Sequence, residues 1–274
     1  MAKKAAIETR TNLGSTLITV KLNWQFDTAD YILGQHEVHL WQASLNCSQN
    51  ILDFLTRLLS ADELERAGKF LQTKHAEQFI IARGMLRLIL GRYLQSRPEE
   101  ILFSYSETGK PKLAQIATTK LNFNLSHSQG YVLYALGQYS ELGIDLEYAK
   151  DMGNIKEIAR RFFNSQDCEY LETYSNEQEL FFKLWTAKEA YLKATGQGIA
   201  GGLDKVKLTI DQDRFFLERP WTVYSFSPQT RYYGALACKG KLEKILGFSI
   251  DLDQFCQELD HSHHYAKDDK RESS

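Results

Sequence analysis

The chain has 274 residues, of which 43% are hydrophobic and 25% are charged, so it can build a substantial core as one large or two small domains. With 33 basic and 35 acidic residues, its formal net charge of −2 gives no whole-chain signal for nucleic acid or a membrane surface. The four cysteines form no C-x-x-C pair, which indicates reduced thiols in a cytoplasmic protein. We expect no signal peptide, because the apolar stretch near the N-terminus is short and broken by polar residues, and no transmembrane helix, because no run of about eighteen apolar residues occurs.

Residues 1–35 show little periodicity, and we interpret them as a variable extension. The first predicted strand runs from Glu37 to Trp41. A helix then begins after Ser60, where Glu63 stands three residues on and completes a capping box. A longer helix is predicted from about 74 to 95, since apolar residues recur along one side.

Two polar motifs follow this helix. Gly109, Lys110 and Pro111 predict a turn whose N–H groups and lysine suit a phosphate, although an ordinary surface turn has the same pattern. Ser126 and His127 follow an apolar strand. A hydrolase nucleophile is a poor interpretation of this pair, because strand neighbours point opposite ways and no G-x-S-x-G elbow is present. We predict that both are donors to phosphate groups.

The rest of the chain predicts alternating strands and helices and then a polar tail. The predicted elements are strands at 131–136 and 142–148, helices at about 154–163, 165–173 and 177–194, and strands near 205–210, 214–218, 221–226, 232–238 and 245–250. The tail over 259–274 is expected to be disordered, and no carboxylate or cysteine spacing supports a metal site at its histidines.

Two carboxylates share one side of the strand predicted at 142–148. Side chains alternate along a strand, so Asp145 and Glu147 point together while Ile144 and Leu146 point into the core. Adjacent carboxylates repel each other, and a hard cation such as Mg²⁺ removes that penalty. A solvated strand edge carrying two acids would have the same pattern.

The stretch WTAKEAYLK, from Trp185 to Lys193, predicts a helix that ends before Gly196, because it lacks Gly and Pro. Glu189 and Lys193 lie four residues apart and therefore share a face. An ordinary surface ion pair has the same spacing. Together with the acidic strand, however, this face predicts a site for a phosphate ester or pyrophosphate. Its three carboxylates would hold one Mg²⁺ and Lys193 would hold a phosphate; the predicted metal ligands are Asp145, Glu147 and Glu189.

The motifs occur in an order that resembles a known family, the 4'-phosphopantetheinyl transferases of the surfactin-synthetase-activating (Sfp-like) type. The blocks that carry the resemblance lie between about Leu59 and Ile199, and they are GKP at Gly109–Pro111, NFNLSHS at Asn122–Ser128, GIDLE at Gly143–Glu147, IARRFF at Ile158–Phe163 and WTAKEAYLK at Trp185–Lys193. Each block is weak alone, whereas all of them in order at fitting spacing are highly specific.

This resemblance implies an α+β fold with two similar halves related by a pseudo-twofold and with coenzyme A in the cleft between them. The halves would cover 36–140 and 141–258. The resemblance places Arg83 near the 3'-phosphate of coenzyme A, with Arg66 and Lys69 as weaker candidates. It also implies that His127 contacts a phosphate of coenzyme A.

The implied activity is that of a holo-[acyl-carrier-protein] synthase. A carrier-protein serine attacks the β-phosphate of coenzyme A, phosphopantetheine moves to that serine, and 3',5'-ADP leaves. Glu189, Lys188 or a water molecule would accept the serine proton. The implied partners are acyl or peptidyl carrier proteins of fatty-acid, polyketide or nonribosomal-peptide synthesis, and the implied state is a monomer. Two alternatives remain open, a non-catalytic coenzyme A-binding protein and a Mg²⁺-dependent phosphohydrolase.

Overall fold

The computed structural model describes most of the chain beyond residue 31. The described ranges are 32–114, 120–198, 202–211, 214–217, 220–240 and 242–252, together with short strands at 7–8, 18–19 and 24–26. The tail predicted over 259–274 lies outside them. The chain divides into two compact units: the first comprises residues 1–25, 32–41 and 102–248, and the second comprises 26–31, 42–101 and 249–274.

The described residues form fourteen strands and six helices, which confirms the α+β class. The strands are β1 (Ile7–Glu8), β2 (Ile18–Thr19), β3 (Trp24–Phe26), β4 (Glu37–Ser44), β5 (Phe103–Tyr105), β6 (Pro111–Leu113), β7 (Asn122–Ser128), β8 (Tyr131–Gly137), β9 (Leu142–Tyr148), β10 (Thr209–Asp211), β11 (Arg214–Phe216), β12 (Trp221–Phe226), β13 (Tyr232–Lys239) and β14 (Lys244–Ile250). The helices are α1 (Gln49–Arg57), α2 (Ala61–Gly68), α3 (Thr73–Leu94), α4 (Ile155–Phe162), α5 (Ser165–Thr173) and α6 (Glu177–Thr195).

Two larger sheets organise the first unit. One has the strand order β1-β14-β4-β8-β7, with β3 also paired to β14, and the other has the order β2-β12-β13-β9. Strand β9 pairs antiparallel with β13, so that Asp145 stands opposite Ala235. Strand β7 pairs antiparallel with β8. Two short antiparallel pairs, β5–β6 and β10–β11, lie outside these sheets.

The two faces of β9 have different surroundings, as the alternating sequence predicts. Ile144 and Leu146 are fully buried in an apolar cluster of the first unit. The opposite face carries Gly143, Asp145 and Glu147 and packs against α6. A Cβ atom at Gly143 would lie only 2.1 Å from the backbone oxygen of Ala190 on α6, so this strand and helix approach as closely as glycine permits.

The second unit is built around the long helix α3, and α1 and α2 both pack on it. The predicted capping box at Ser60 and Glu63 is present at the start of α2. Glu63 is fully buried and accepts a hydrogen bond from Arg87 Nε at 2.8 Å. Arg87 also donates to the backbone oxygens of Pro98 and Ile101. This buried pair therefore ties α2, α3 and the 98–101 turn together.

The predicted elements differ from the structure in a few places. The strand predicted at 205–210 is a single 3-10 turn at Leu203–Lys205, and β10 begins only at Thr209. Helix α1 was not predicted, and neither were the short strands β5 and β6 or β1, β2 and β3, which precede the strand predicted as the first. Within the described residues, no helix combines the length and apolar character that crossing a bilayer requires.

Candidate functional site

Asp145 is the buried centre of the candidate site in the first unit. It is 3% exposed, on the face of β9 that packs under α6. Its Oδ1 atom accepts hydrogen bonds from Lys193 Nζ at 2.6 Å and from Ser126 Oγ at 3.0 Å. Its Oδ2 atom is buried and has no hydrogen-bond partner among the residues described. A buried carboxylate oxygen without a partner carries a desolvation cost that a ligand would remove.

The negative charge of Asp145 affects the pKa values of two further carboxylates, those of Glu147 and Glu189. Burial, and then the negative charge of Asp145, raise the pKa of Glu147 to about 7. The same two causes raise the pKa of Glu189 to about 7, while Lys193 opposes the shift. Three acids that disfavour each other's charge form the kind of donor set that a hard divalent cation stabilises.

These acids fit a metal chemically but do not form a closed cage. In the described parts of the chain, no three His, Cys, Asp or Glu side chains converge closely enough to hold a metal ion as they stand. Lys193 instead supplies a positive charge beside Asp145. The unpartnered Asp145 Oδ2 and the raised pKa values of Glu147 and Glu189 fit a cation, whose binding would require these side chains to turn.

A cavity of about 500 Å³ lies on the side of Glu189 and Lys193, within the size range of small-ligand sites. Glu189 and Lys193 line it from α6, Asn124 lines it from β7, and the 108–111 turn and the 196–198 loop complete it. Helix α6 ends as predicted at Gly196, whose φ of 77° lies in the left-handed region that favours glycine.

The predicted turn at Gly109–Pro111 forms one wall of this cavity. Gly109 has a φ of 78°, and its N–H donates to the backbone oxygen of Ser106 at 2.8 Å. Lys110 Nζ donates to the backbone oxygens of Leu142 and Lys193, at 2.9 and 2.6 Å. Burial, with smaller effects of nearby lysines, lowers the pKa of Lys110 to about 8. Lys110 therefore links the turn to β9 and α6, and an ammonium group has a third N–H that it can offer to an anion.

Ser126 and His127 lie on opposite sides of β7, as alternation requires. Ser126 is buried and contacts Asp145 and Lys193, whereas His127 is exposed. The structure thus brings Ser126 together with Asp145 and with Lys193.

Lys188 points away from the acids into a separate buried pair. It is fully buried, and its Nζ donates to Asp167 Oδ2 at 2.5 Å and to the backbone oxygens of Leu203 and Val206. Burial lowers the pKa of Lys188 and raises that of Asp167, while their mutual attraction opposes both shifts. All three N–H bonds of this ammonium have acceptors, so Lys188 joins α5 and the 203–206 turn to α6.

We expect Asp167→Ala to lower the free energy of unfolding by about 3–5 kcal/mol, because it leaves the buried charge of Lys188 without its partner. Urea denaturation followed by circular dichroism measures the change. The matched control is Glu172→Ala, on the same helix as Asp167. It removes the exposed ion pair with Arg160 and should lower the free energy of unfolding by less than about 1 kcal/mol. Equal effects of the two variants would contradict a structural role for the buried pair.

Arg83 lies on α3 in the second unit. Its side chain is buried, and its Nε is 3.4 Å from Glu63 Oε1. Its guanidinium carbon lies 5.7 Å from the ring centre of Phe79, and that of Arg66 lies 5.5 Å from the same ring. Lys69 pairs with Glu65 on the surface of α2.

Sequence reasoning missed several residues that support this site. Asn124 Oδ1 accepts a hydrogen bond from the backbone N–H of Ile144 at 2.7 Å, and Ser128 Oγ donates to Glu147. The alternation of polar residues along β7 was the available signal for both. Asp167 carries no local signal, because its partner Lys188 is 21 residues away.

Carboxylates beside a lysine and a ligand-sized cavity are typical of an enzyme that acts on a phosphate ester or pyrophosphate. Comparison with known proteins makes this class specific. The model of the 4'-phosphopantetheinyl transferase superfamily matches residues 141–236, and the model described as 4'-phosphopantetheinyl transferase, N-terminal, matches residues 41–138.

Individual relatives agree with these matches. The chain is 39% identical over 210 residues to the 4'-phosphopantetheinyl transferase HetI of a Nostoc species, covering 74% of this chain and 88% of HetI. It is 30% identical over 157 residues to the 4'-phosphopantetheinyl transferase Sfp of Bacillus subtilis, covering 57% of this chain and 68% of Sfp. The chain belongs to the 4'-phosphopantetheinyl transferase family, which uses coenzyme A as the donor and acts on carrier proteins.

Proposed function

We propose that this enzyme transfers 4'-phosphopantetheine from coenzyme A to the serine of an acyl or peptidyl carrier protein, in a Mg²⁺-dependent reaction that releases 3',5'-ADP. The observation that carries the proposal is that Lys193 lines the cavity with Glu189 and binds the buried Asp145, whose charge also acts on Glu147 and Glu189. Neutralising and orienting a pyrophosphate is the main task in such a transfer, and this group supplies both signs of charge for it.

In the proposed reaction, the carrier serine oxygen bonds to the β-phosphorus as the bond between that phosphorus and the bridging oxygen breaks. Bound Mg²⁺ would neutralise charge on the pyrophosphate. Lys193 lies beside the cavity and would hold an α- or β-phosphate oxygen. The N–H groups of Gly109 and Lys110 already donate to Ser106, and Pro111 has none, so the 109–111 turn would offer the ammonium group of Lys110 to the same phosphates. Ser126 would reach coenzyme A by exchanging its hydrogen bond to Asp145, and the exposed His127 would donate to a phosphate directly.

The serine proton needs an acceptor during this step. Lys188 already donates to three acceptors and would have to lose a proton before it could act as a base. Its position therefore favours Glu189 or a water molecule as the acceptor. The nucleophile belongs to the carrier protein, so this chain needs no catalytic Ser or Cys of its own.

For partners, we propose carrier proteins of fatty-acid, polyketide or nonribosomal-peptide synthesis. We also propose that the enzyme is a cytoplasmic monomer. Cys47, Cys168 and Cys238 are free thiols, which suits a reducing compartment.

Intact mass spectrometry tests the proposed transfer directly. An apo carrier protein is incubated with the enzyme, coenzyme A and Mg²⁺, and a parallel sample contains EDTA. We expect the carrier to gain the mass of one phosphopantetheine with Mg²⁺ and none in EDTA. Coenzyme A bound but unchanged, with no modification of any carrier class, would support a binding protein instead. Coenzyme A consumed without carrier modification would support a hydrolase.

We expect Lys193→Ala to weaken coenzyme A binding by about 1.5–3 kcal/mol, the usual value of a hydrogen bond to a charged group. Isothermal titration calorimetry in the absence of carrier protein measures this affinity. The matched control is Lys183→Ala, an earlier lysine on the same helix α6, which pairs with Glu179 instead. Coenzyme A affinity that is unchanged in Lys193→Ala would remove this lysine from the phosphate site.

A further inference from the structure

Strands β7 and β9 belong to different sheets, yet a row of polar side chains joins them. Asn124, Ser126 and Ser128 alternate along one face of β7 and contact residues of β9 that lie 19 or 20 positions later in the chain. Asn124 meets the backbone of Ile144, Ser126 meets the side chain of Asp145, and Ser128 meets the side chain of Glu147. Strand β7 therefore presents a polar face to the acidic strand.

Ser128 makes two hydrogen bonds that together determine the direction of its hydroxyl proton. Its Oγ accepts from the backbone N–H of Tyr148 at 3.1 Å and lies 3.1 Å from Oε2 of Glu147. A hydroxyl group has one proton and two lone pairs, so accepting from Tyr148 leaves that proton for the carboxylate. Ser128 thus holds one oxygen of Glu147 and leaves the other oxygen for another ligand.

Ser126, two residues before Ser128 on β7, has the same arrangement. Its hydroxyl accepts from Lys193 Nζ at 2.9 Å and donates to Oδ1 of Asp145 at 3.0 Å. The second oxygen of Asp145 is the buried atom that has no partner in the described part of the chain. In both cases a serine of β7 holds one oxygen of a β9 carboxylate. Only Ser128 does so without also touching Lys193, and its role can therefore be tested separately from phosphate binding.

We infer that Ser128 is a positioning residue that orients the Glu147 carboxylate for the divalent cation. This inference rests on the proposed function, because it presumes that Glu147 is a metal ligand. Groups that hydrogen-bond to ligating carboxylates and histidines typically contribute about tenfold to hundredfold to metal affinity. Ser128 acts on the cation through Glu147 and does not touch coenzyme A.

Metal uptake by the intact enzyme tests this role. Mn²⁺ is titrated into the complex of the enzyme with coenzyme A, with no carrier protein present, and free Mn²⁺ is followed by electron paramagnetic resonance. A parallel titration of coenzyme A alone is subtracted. Coenzyme A affinity is measured separately in EDTA. The variants are Ser128→Ala, Ser128→Cys and Ser128→Thr, and the control is Ser140→Ala, an exposed serine beside Glu141.

We expect Ser128→Ala to bind Mn²⁺ about tenfold to hundredfold more weakly, with coenzyme A affinity in EDTA unchanged. Ser128→Thr keeps the hydroxyl and should restore Mn²⁺ affinity, and Ser140→Ala should match the wild type. Ser128→Cys keeps the size of the side chain, but a thiol is a poor hydrogen-bond donor, so this variant should also weaken Mn²⁺ binding. If the alanine variant does not fold, the cysteine variant tests the role of the Ser128 hydroxyl in its place.

Three outcomes would overturn the inference, and they are distinguishable. Wild-type enzyme that takes up no Mn²⁺ would remove the proposed metal site and this inference with it. Normal Mn²⁺ affinity in Ser128→Ala or Ser128→Cys, with uptake by the wild type, would overturn only the role of Ser128. Weaker coenzyme A binding in EDTA would show that Ser128 acts on the substrate directly.

Discussion

Replacing Asp145 with alanine should abolish phosphopantetheine transfer, with a loss on the order of a thousandfold or more, since a metal ion contributes several kcal/mol to such a transition state. The variant removes both the atom bound by Lys193 and the unpartnered Oδ2. Lys193 remains partly exposed, so water can solvate its charge and the fold should persist. Carrier modification by mass spectrometry measures the rate, and circular dichroism checks the fold.

The matched control for this variant is Asp151→Ala. Asp151 lies six residues further along the chain, is largely exposed, and pairs with Arg231 on the surface. Its loss should leave the rate within about twofold of the wild type, since exposed pairs contribute little. If Asp145→Ala modified carrier protein at the wild-type rate, Asp145 could not be a metal ligand.

Replacing Gly143 with alanine should lower the free energy of unfolding by about 3 kcal/mol or more, the upper end of what overpacking a core costs. The new methyl group would lie 2.1 Å from the backbone oxygen of Ala190 and 2.4 Å from the backbone nitrogen of Ala194. Backbone atoms of a helix cannot rotate aside, so α6 must move away from β9. Glu189 and Lys193 would move with it, and transfer should fall together with stability.

Urea denaturation compares this variant with Gly153→Ala. No atom lies within 4 Å of a Cβ built at Gly153, so that substitution should change stability little. A Gly143→Ala protein that unfolds at the wild-type urea concentration would show that α6 does not need this close approach. Transfer activity measured on the same samples separates a local shift of α6 from a general loss of structure.

The local patterns of the chain predicted the parts of the site that lie within one element. Alternation along β9 predicted that Asp145 and Glu147 share a face, and helical spacing predicted that Glu189 and Lys193 do. The capping box at Ser60 and the end of α6 at Gly196 also follow from neighbouring residues alone. Each of these predictions depends on the 2.0- or 3.6-residue period of a single strand or helix.

Other features depend on residues that are distant in sequence. The family resemblance placed Lys188, together with Glu189, among the candidate bases. Neighbouring positions on a helix point about 100° apart, however, and Lys188 meets Asp167 and the 203–206 turn instead. Similarly, Lys110 was predicted as a phosphate ligand from its turn, whereas its contacts with the carbonyls of Leu142 and Lys193 required the folded chain.

By itself, the sequence determined the family, because the motif blocks are residue types at fixed spacings. Through that resemblance it implied the α+β class, and its acidic motifs supplied the proposed metal ligands. The tertiary structure decided which atoms of those residues are available. It buried Asp145 beneath α6, used one of its oxygens for Ser126 and Lys193, and left the other without a partner among the residues described. Hydrogen-bond satisfaction depends on side chains that different elements bring together, and no pattern within one element contains that information.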